Sequence, residues 1–163
     1  MTRRPPRRIG RLLLVGAVLW GLGQVLTRRL DKGDAAANEL SFAAVFGGKE
    51  RTSTATALRR VRCLAFCGGA QLDLRDATLD PAGADLDVKA LMGGVQVLVP
   101  EEWRVTVEED TTAGGVDTQV TAPAELPADA PALVVRAVAR MGGVQVTTKD
   151  GGVPTDGGFA SVS

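Results

Sequence analysis

A glycine doublet closes a short apolar run at five places in this chain. The five doublets are Gly47-Gly48, Gly68-Gly69, Gly93-Gly94, Gly114-Gly115 and Gly142-Gly143. Their first glycines are separated by 21, 25, 21 and 28 residues, which is the range of stacked repeat units. A repeat of this length cannot enclose a core alone, so neighbouring repeats must bury each other's apolar residues. The period therefore constrains the chain to a stacked architecture.

Short β-strands dominate the sequence after residue 30. Alternating or β-branched stretches such as Val95–Val99, Val105–Val107 and Val144–Val146 indicate strands, and helical periodicity of useful length is absent. We therefore predict an all-β fold, a short right-handed parallel β-solenoid over residues 40–149, in which each coil stacks on the preceding one. Glycine suits the corners, where the backbone needs positive φ or leaves no room for a Cβ. The alternative is an antiparallel sandwich with Gly-Gly hairpins.

The residue before each doublet occupies a recurrent position in the repeat. We expect these five side chains to point inward as a core ladder, formed by Phe46, Cys67, Met92, Ala113 and Met141. Because methionines and cysteines at recurrent apolar positions ordinarily fill a core, the ladder is interpreted as packing rather than as a metal or ligand site.

Residues 1–30 combine an arginine-rich start with an apolar run from Leu12 to Leu26. Fifteen helical residues reach about 22 Å, so the run spans the hydrocarbon layer only if flanking residues join and arginines snorkel outward. A single membrane span is the preferred interpretation, and a cleaved signal peptide is the alternative. Residues 31–39 are interpreted as a linker and residues 150–163, which contain two further glycine doublets, as a flexible tail.

The side of the membrane on which the domain lies stays open. Five arginines precede the apolar run and three basic residues follow it, which favours an extracytoplasmic domain. The cysteines favour the opposite side: Cys63 and Cys67 would lie about 13 Å apart on an extended strand, too far for a disulfide. Unbridged thiols are commoner in reducing compartments.

No catalytic constellation is evident in the sequence. The chain has no histidine, which removes the usual general base and the commonest neutral metal ligand. Asp73, Asp76, Asp80, Asp85 and Asp87 could serve a carbohydrate-cleaving solenoid, but a solvated acidic face explains them more simply. The acidic body does not suit nucleic-acid binding, and the cluster Arg59–Arg62 is either a lipid-headgroup contact or a charged coil edge. We predict no catalytic residue, cofactor, metal or small-molecule substrate.

Three segments carry a resemblance to a known family. They are Cys67-Gly-Gly-Ala-Gln-Leu-Asp-Leu-Arg75, Met92-Gly-Gly-Val-Gln-Val-Leu-Val-Pro-Glu-Glu-Trp-Arg-Val105 and Met141-Gly-Gly-Val-Gln-Val146. They resemble the C-terminal domain of the LiaF-like cell-wall-active antibiotics response family, and the most specific residues are Asp73, Arg75, Pro100 and Trp103. The resemblance implies a membrane-attached β-solenoid that modulates an envelope-stress sensor kinase. Relatives with that role usually carry several spans, whereas this chain offers one.

The resulting expectation is a membrane-anchored, non-enzymatic regulatory or adaptor protein of the bacterial cell envelope. Its partners would be the membrane and a membrane sensor protein, bound through a sheet face or an exposed terminal coil. The alternative is a bactofilin-like structural scaffold that self-associates through the solenoid ends, because open β-edges can pair.

Overall fold

The computed structural model describes residues 31–148 and, before them, the helical positions Ala17, Val18, Gly21 and Val25. Ten strands follow one another within residues 31–148. They are β1 (Glu39–Ala44), β2 (Gly47–Thr52), β3 (Arg60–Ala65), β4 (Gly68–Asp73), β5 (Ala84–Ala90), β6 (Gly94–Leu98), β7 (Arg104–Thr111), β8 (Gly114–Gln119), β9 (Ala132–Ala139) and β10 (Gly142–Thr147). A single 3₁₀ turn, Pro123–Glu125, lies in the loop between β8 and β9.

The strands form two five-stranded sheets in which every pairing is parallel. Sheet A has the order β1-β3-β5-β9-β7, and sheet B has the order β2-β4-β6-β10-β8. Each pair of consecutive strands, joined at a glycine doublet, is one coil of a solenoid, so β1 and β2 form coil 1 and β9 and β10 form coil 5. The parallel stack and the doublet period agree with the sequence prediction, and the antiparallel sandwich is wrong.

The core lies between the two sheets. Along β3, β5 and β9, buried and more exposed residues alternate, as expected when one face of a strand is packed and the other is solvated. Inward residues stack in rows across the coils because the register is maintained from strand to strand. One such row of sheet A contains Phe42, Cys63, Val88 and Ala137, all at most 2% exposed.

The stacking order departs from the prediction at the last two coils. Coil 4 (β7 and β8) does not stack on coil 3; coil 5 lies between them, with β9 paired to both β5 and β7. The composition of the inward rows explains this order. Coil 5 has apolar inward residues throughout, such as Leu133, Val135 and Val146, whereas coil 4 has Glu109 in register with Ala137. An interior position would bury that carboxylate, which is costly without a partner.

Glycine is needed at the doublets because it has no Cβ and because it can adopt positive φ. A Cβ on Gly93 would lie 1.9 Å from the carbonyl oxygen of Gly68, and a Cβ on Gly142 would lie 2.0 Å from that of Gly93. The first glycine therefore permits a close approach between coils that any side chain would block. Gly47, on coil 1, is the doublet glycine with positive φ, at 93°.

The predicted core ladder is wrong. Phe46 is 53% exposed, Met92 40% and Met141 60%; Ala113 is also exposed and Cys67 is half-buried. The last buried row of sheet A before the glycine doublets is formed instead by Ala44, Ala65, Ala90 and Ala139. Each ladder residue on these four coils lies two positions after one of these alanines, so continued strand alternation would point it inward. The strand ends before it, at the corner of the coil, and the alternation stops there.

Residues 31–39 are the predicted linker; residues 31–38 are bonded to coil 1, and Glu39 is the first residue of β1. Lys32 and Ser41 exchange two backbone hydrogen bonds, and the amide of Thr54 donates to the carbonyl of Ala35. The segment thereby pairs with the outer edge of β1 and with the chain just after β2, while the side chains of Lys49 and Arg51 on β2 reach Asp31 and Gly33. No helix within the described residues is both long enough and apolar enough to cross a membrane. The predicted span and tail fall outside the described residues, apart from the four helical positions named above.

Candidate interaction surfaces

The Asp73 and Arg75 pair closes a turn at the end of β4. The backbone amide and the Nε of Arg75 both donate to Asp73 Oδ1, at 3.1 and 3.0 Å, and one terminal guanidinium nitrogen donates to Oδ2 at 2.7 Å. These hydrogen bonds from Arg75 hold the pKa of Asp73 below its usual value. Leu74 between them is fully buried. The pair is therefore a structural clamp that orients a core leucine.

Pro100 and Trp103 also serve the turn that leaves the stack. The backbone amide of Trp103 donates a hydrogen bond to the carbonyl of Pro100 at 3.4 Å. Trp103 is only 3% exposed and packs within the core. This tight connection, residues 99–103, carries the chain from β6 to the end of the stack. The tryptophan closes the core beside the turn, so packing explains its place in the motif.

Four of the five aspartates that could form a catalytic cluster by sequence are paired with arginines, and the fifth, Asp76, is exposed. Asp80 accepts a hydrogen bond from Arg59 Nε at 2.7 Å, and a backbone bond from Ala82, followed by that from Arg59, lowers the pKa of Asp80. One terminal guanidinium nitrogen of Arg136, Nη1, lies 3.1 Å from Asp85 Oδ1 and 3.8 Å from Asp87 Oδ1. No group of three or more potential metal ligands occurs within residues 31–148. Asp85 and Asp87 belong to sheet A, and Asp80 lies in the loop before it.

Both cysteines are free thiols. Burial raises the pKa of Cys63 to about 12, so this thiol stays protonated and unreactive at physiological pH. Cys67 lies at the corner between β3 and β4 with φ of 53°, a conformation that residues other than glycine rarely adopt.

The coil 1 end of the stack is a capped end. Two inward rows of sheet B finish there in Lys49 and Arg51, in register with the buried Ala70 and Leu72. Lys49 forms an ion pair with Asp31, and a terminal nitrogen of Arg51 donates to the carbonyl of Gly33 at 2.6 Å. The apolar rows thus end in cations that residues 31–33 cover.

The coil 4 end of the stack is an open end. β7 and β8 are the outermost strands of their sheets, so one edge of each has no strand beside it among the described residues. Exposed carboxylates line this end, namely Glu108, Glu109, Asp110 and Asp117. Glu108 and Asp110 contact Arg136 and Arg140 of coil 5 at 3.2 and 3.0 Å, whereas Glu109 occupies an inward row. Sequence reasoning missed this surface, although the run Glu108-Glu109-Asp110 was its visible signal.

These features define a small parallel β-solenoid with one capped end, one open acidic end and apolar corner side chains. The chain matches the family described as cell wall-active antibiotics response LiaF, C-terminal, over residues 45–126, half of its length. It therefore belongs to the LiaF-like C-terminal family, as its sequence motifs predicted. That family is a regulatory one associated with membranes and with the response to cell-wall-active antibiotics. Neither the curated proteins nor the solved structures contain a match.

Proposed function

We propose that this chain is a membrane-anchored, non-enzymatic adaptor of the bacterial cell envelope that modulates a membrane sensor of envelope stress. Residues 12–26 would supply a single membrane span, with the domain on the extracytoplasmic side. Family membership supports the stress-response role, and the apolar run flanked by arginines supports the anchor. We further propose right-handed winding of the coils, the hand of nearly all crossovers between parallel strands.

The observation that carries the adaptor role is the difference between the two ends of the stack. The capped end is covered by the domain's own residues 31–38, which are also the residues nearest to the proposed span. The open end is the opposite end, and it presents two outer strand edges beside exposed carboxylates. An open strand edge is a surface on which a partner strand can add. We propose that the sensor binds there.

The scaffold alternative is disfavoured by the same geometry. End-to-end polymerisation would bring coil 1 of one molecule against coil 4 of the next. The cap of residues 31–38 occupies the β1 part of the edge that such a contact needs. Three inward rows also finish in charged residues, namely Lys49, Arg51 and Glu109. Inward charges of this kind are a known protection against edge pairing.

The test compares two charge reversals on one outer row of sheet B. Glu50 and Asp117 occupy opposite ends of the row that also contains Gln71, Gln96 and Gln145. Both are exposed, so Asp117→Lys and Glu50→Lys make the same charge change at the open and capped ends. Affinity purification from solubilised membranes should recover a sensor protein with the unaltered chain and with Glu50→Lys, and much less with Asp117→Lys.

Two outcomes would contradict the proposal. Absence of any sensor protein with the unaltered chain would remove the adaptor role. Equal recovery with both variants would remove the open end as the binding surface.

A further inference from the structure

The corner at the glycine doublets carries the exposed large apolar side chains of the described domain. Phe46, Met92 and Met141 follow one another along the stack on coils 1, 3 and 5. With coils about 4.8 Å apart, the line from Phe46 to Met141 is about 14 Å long. Exposed apolar side chains scattered singly need no explanation, but an aligned set marks a contact surface.

The residues beside this line change character along the stack. The residue two positions before each doublet is the buried Val45 on coil 1, Phe66 on coil 2 and Leu91 on coil 3, but Thr112 on coil 4 and Arg140 on coil 5. The rings of Phe46 and Phe66 are in edge-to-face contact, with their centroids 6.3 Å apart. On coils 2 and 3 the neighbouring residues Phe66 and Leu91 are apolar and partly exposed, whereas on coil 5 the exposed Met141 stands beside the exposed Arg140. We call the apolar part, formed by Phe46, Phe66, Leu91 and Met92, the apolar corner.

The chain enters the domain at this same corner. Asp31 Oδ1 accepts a hydrogen bond from the amide of Ala43 at 3.0 Å, and Asp31 also pairs with Lys49; these two residues flank the coil 1 doublet. The apolar run of the sequence ends at Leu26, five residues before Asp31. Five residues reach at most about 18 Å, so a span that ends at Leu26 holds the apolar corner close to the bilayer surface.

We propose that the apolar corner inserts into the lipid headgroup region and lays coils 1 to 3 of the domain on the membrane surface. This inference rests on the proposed membrane anchor. Phenylalanine, leucine and methionine side chains enter the boundary between headgroups and acyl chains when a second attachment holds them there. Exposed Lys89, one residue before Ala90 on β5, adds a cation that favours anionic lipid. Asp31 fixes the entry of the chain on coil 1 beside the apolar corner, and this closeness to the proposed span favours a lipid surface as the occupant of the corner.

The test places a tryptophan at each of three positions in the full chain. Native Trp20 is replaced by phenylalanine, while buried Trp103 remains as a background common to all variants. Phe46→Trp and Met92→Trp probe the apolar corner on two coils. Asp129→Trp is the control, because Asp129 is exposed in the β8–β9 loop, at the side of the coils opposite the doublets.

The variants are reconstituted into vesicles of phosphatidylcholine and phosphatidylglycerol, with or without acyl chains brominated near the headgroup. Both corner tryptophans should lose at least about half of their fluorescence to the bromine, since interfacial side chains lie about 5–10 Å deep. The Asp129→Trp signal should change little.

Three results would overturn the inference, and they separate it from the anchor itself. Chains that float with the vesicles but show no more quenching at Phe46→Trp and Met92→Trp than at Asp129→Trp would leave the anchor standing and make a protein the occupant of the corner. Quenching at Phe46→Trp alone would mean that coil 1 is merely tethered nearby. Failure to float would remove both the anchor and the inference.

Discussion

Replacing Gly93 by alanine should separate neighbouring coils. The added Cβ would lie 1.9 Å from the carbonyl oxygen of Gly68 and 2.9 Å from its carbonyl carbon and its nitrogen. Ordinary contacts need well over 3 Å, so the backbones must move apart by more than 1 Å, and all three contacted atoms belong to backbone that cannot rotate away. Overpacking of a well-packed interior typically costs about 1–3 kcal/mol, and we expect Gly93→Ala to fall near the upper figure because the strain acts on a hydrogen-bonded ladder.

Gly69→Ala is the matched control for this substitution. Gly69 is the second glycine of its doublet, has no atom within 4 Å of the position that a Cβ would occupy and does not have positive φ. Alanine in a strand interior loses less chain entropy than glycine, so this variant should be unchanged or more stable by up to about 1 kcal/mol. Urea unfolding of the full chain in detergent, followed through buried Trp103 in a Trp20→Phe background, measures both. Equal stability of the two variants would refute the close-approach account of the doublets.

Three further predictions concern single side chains. Thiol labelling of the folded chain at pH 8.5 should modify at most Cys67, because burial raises the pKa of Cys63 to about 12. For the same reason, the free energy of unfolding should fall as the pH rises from about 9 towards 12, since only the unfolded chain then loses the Cys63 proton. Cys63→Ala should abolish this fall. Arg75→Gln should raise the pKa of Asp73 in a carboxyl NMR titration, since the hydrogen bonds from Arg75 are the largest cause of its lowering, and an unchanged pKa would contradict the clamp. Glu109→Val should promote self-association in sedimentation experiments by extending an apolar row to the open edge, whereas Glu108→Val, which removes the same charge from the outer face, should not.

Much of the coil architecture could be predicted from the doublets, because glycine at a fixed period reports where coils approach one another. The stacking order could not be predicted from the period, since the steps of 21 and 28 residues are compatible with either order of coils 4 and 5. The stacking order depends on which inward side chains can be buried. Glu109 prevents coil 4 from taking an interior position, and the apolar inward residues of β9 and β10 favour one for coil 5.

The functional surfaces are harder to predict for a related reason. The apolar character of Phe46, Met92 and Met141 predicts a core position for the doublet corner, yet the turn before each doublet exposes them. Hydrophobic character alone does not show which way a side chain points when strand alternation stops. Residues 31–38 have the small and polar composition of a linker, whereas their backbone groups pair with the edges of coil 1.

Disulfide trapping tests the stacking order most directly. Val138 on β9 is in register with both Lys89 on β5 and Asp110 on β7, so neighbouring Cα atoms should lie about 4.8 Å apart. Lys89 and Asp110 are two strands apart, about 9.6 Å, which exceeds the limit of about 7 Å for a disulfide. In a background lacking both native cysteines, the pairs Lys89→Cys with Val138→Cys and Asp110→Cys with Val138→Cys should form disulfides under mild oxidation, and Lys89→Cys with Asp110→Cys should not. Efficient bridging of that last pair would place coil 4 directly on coil 3 and contradict the account.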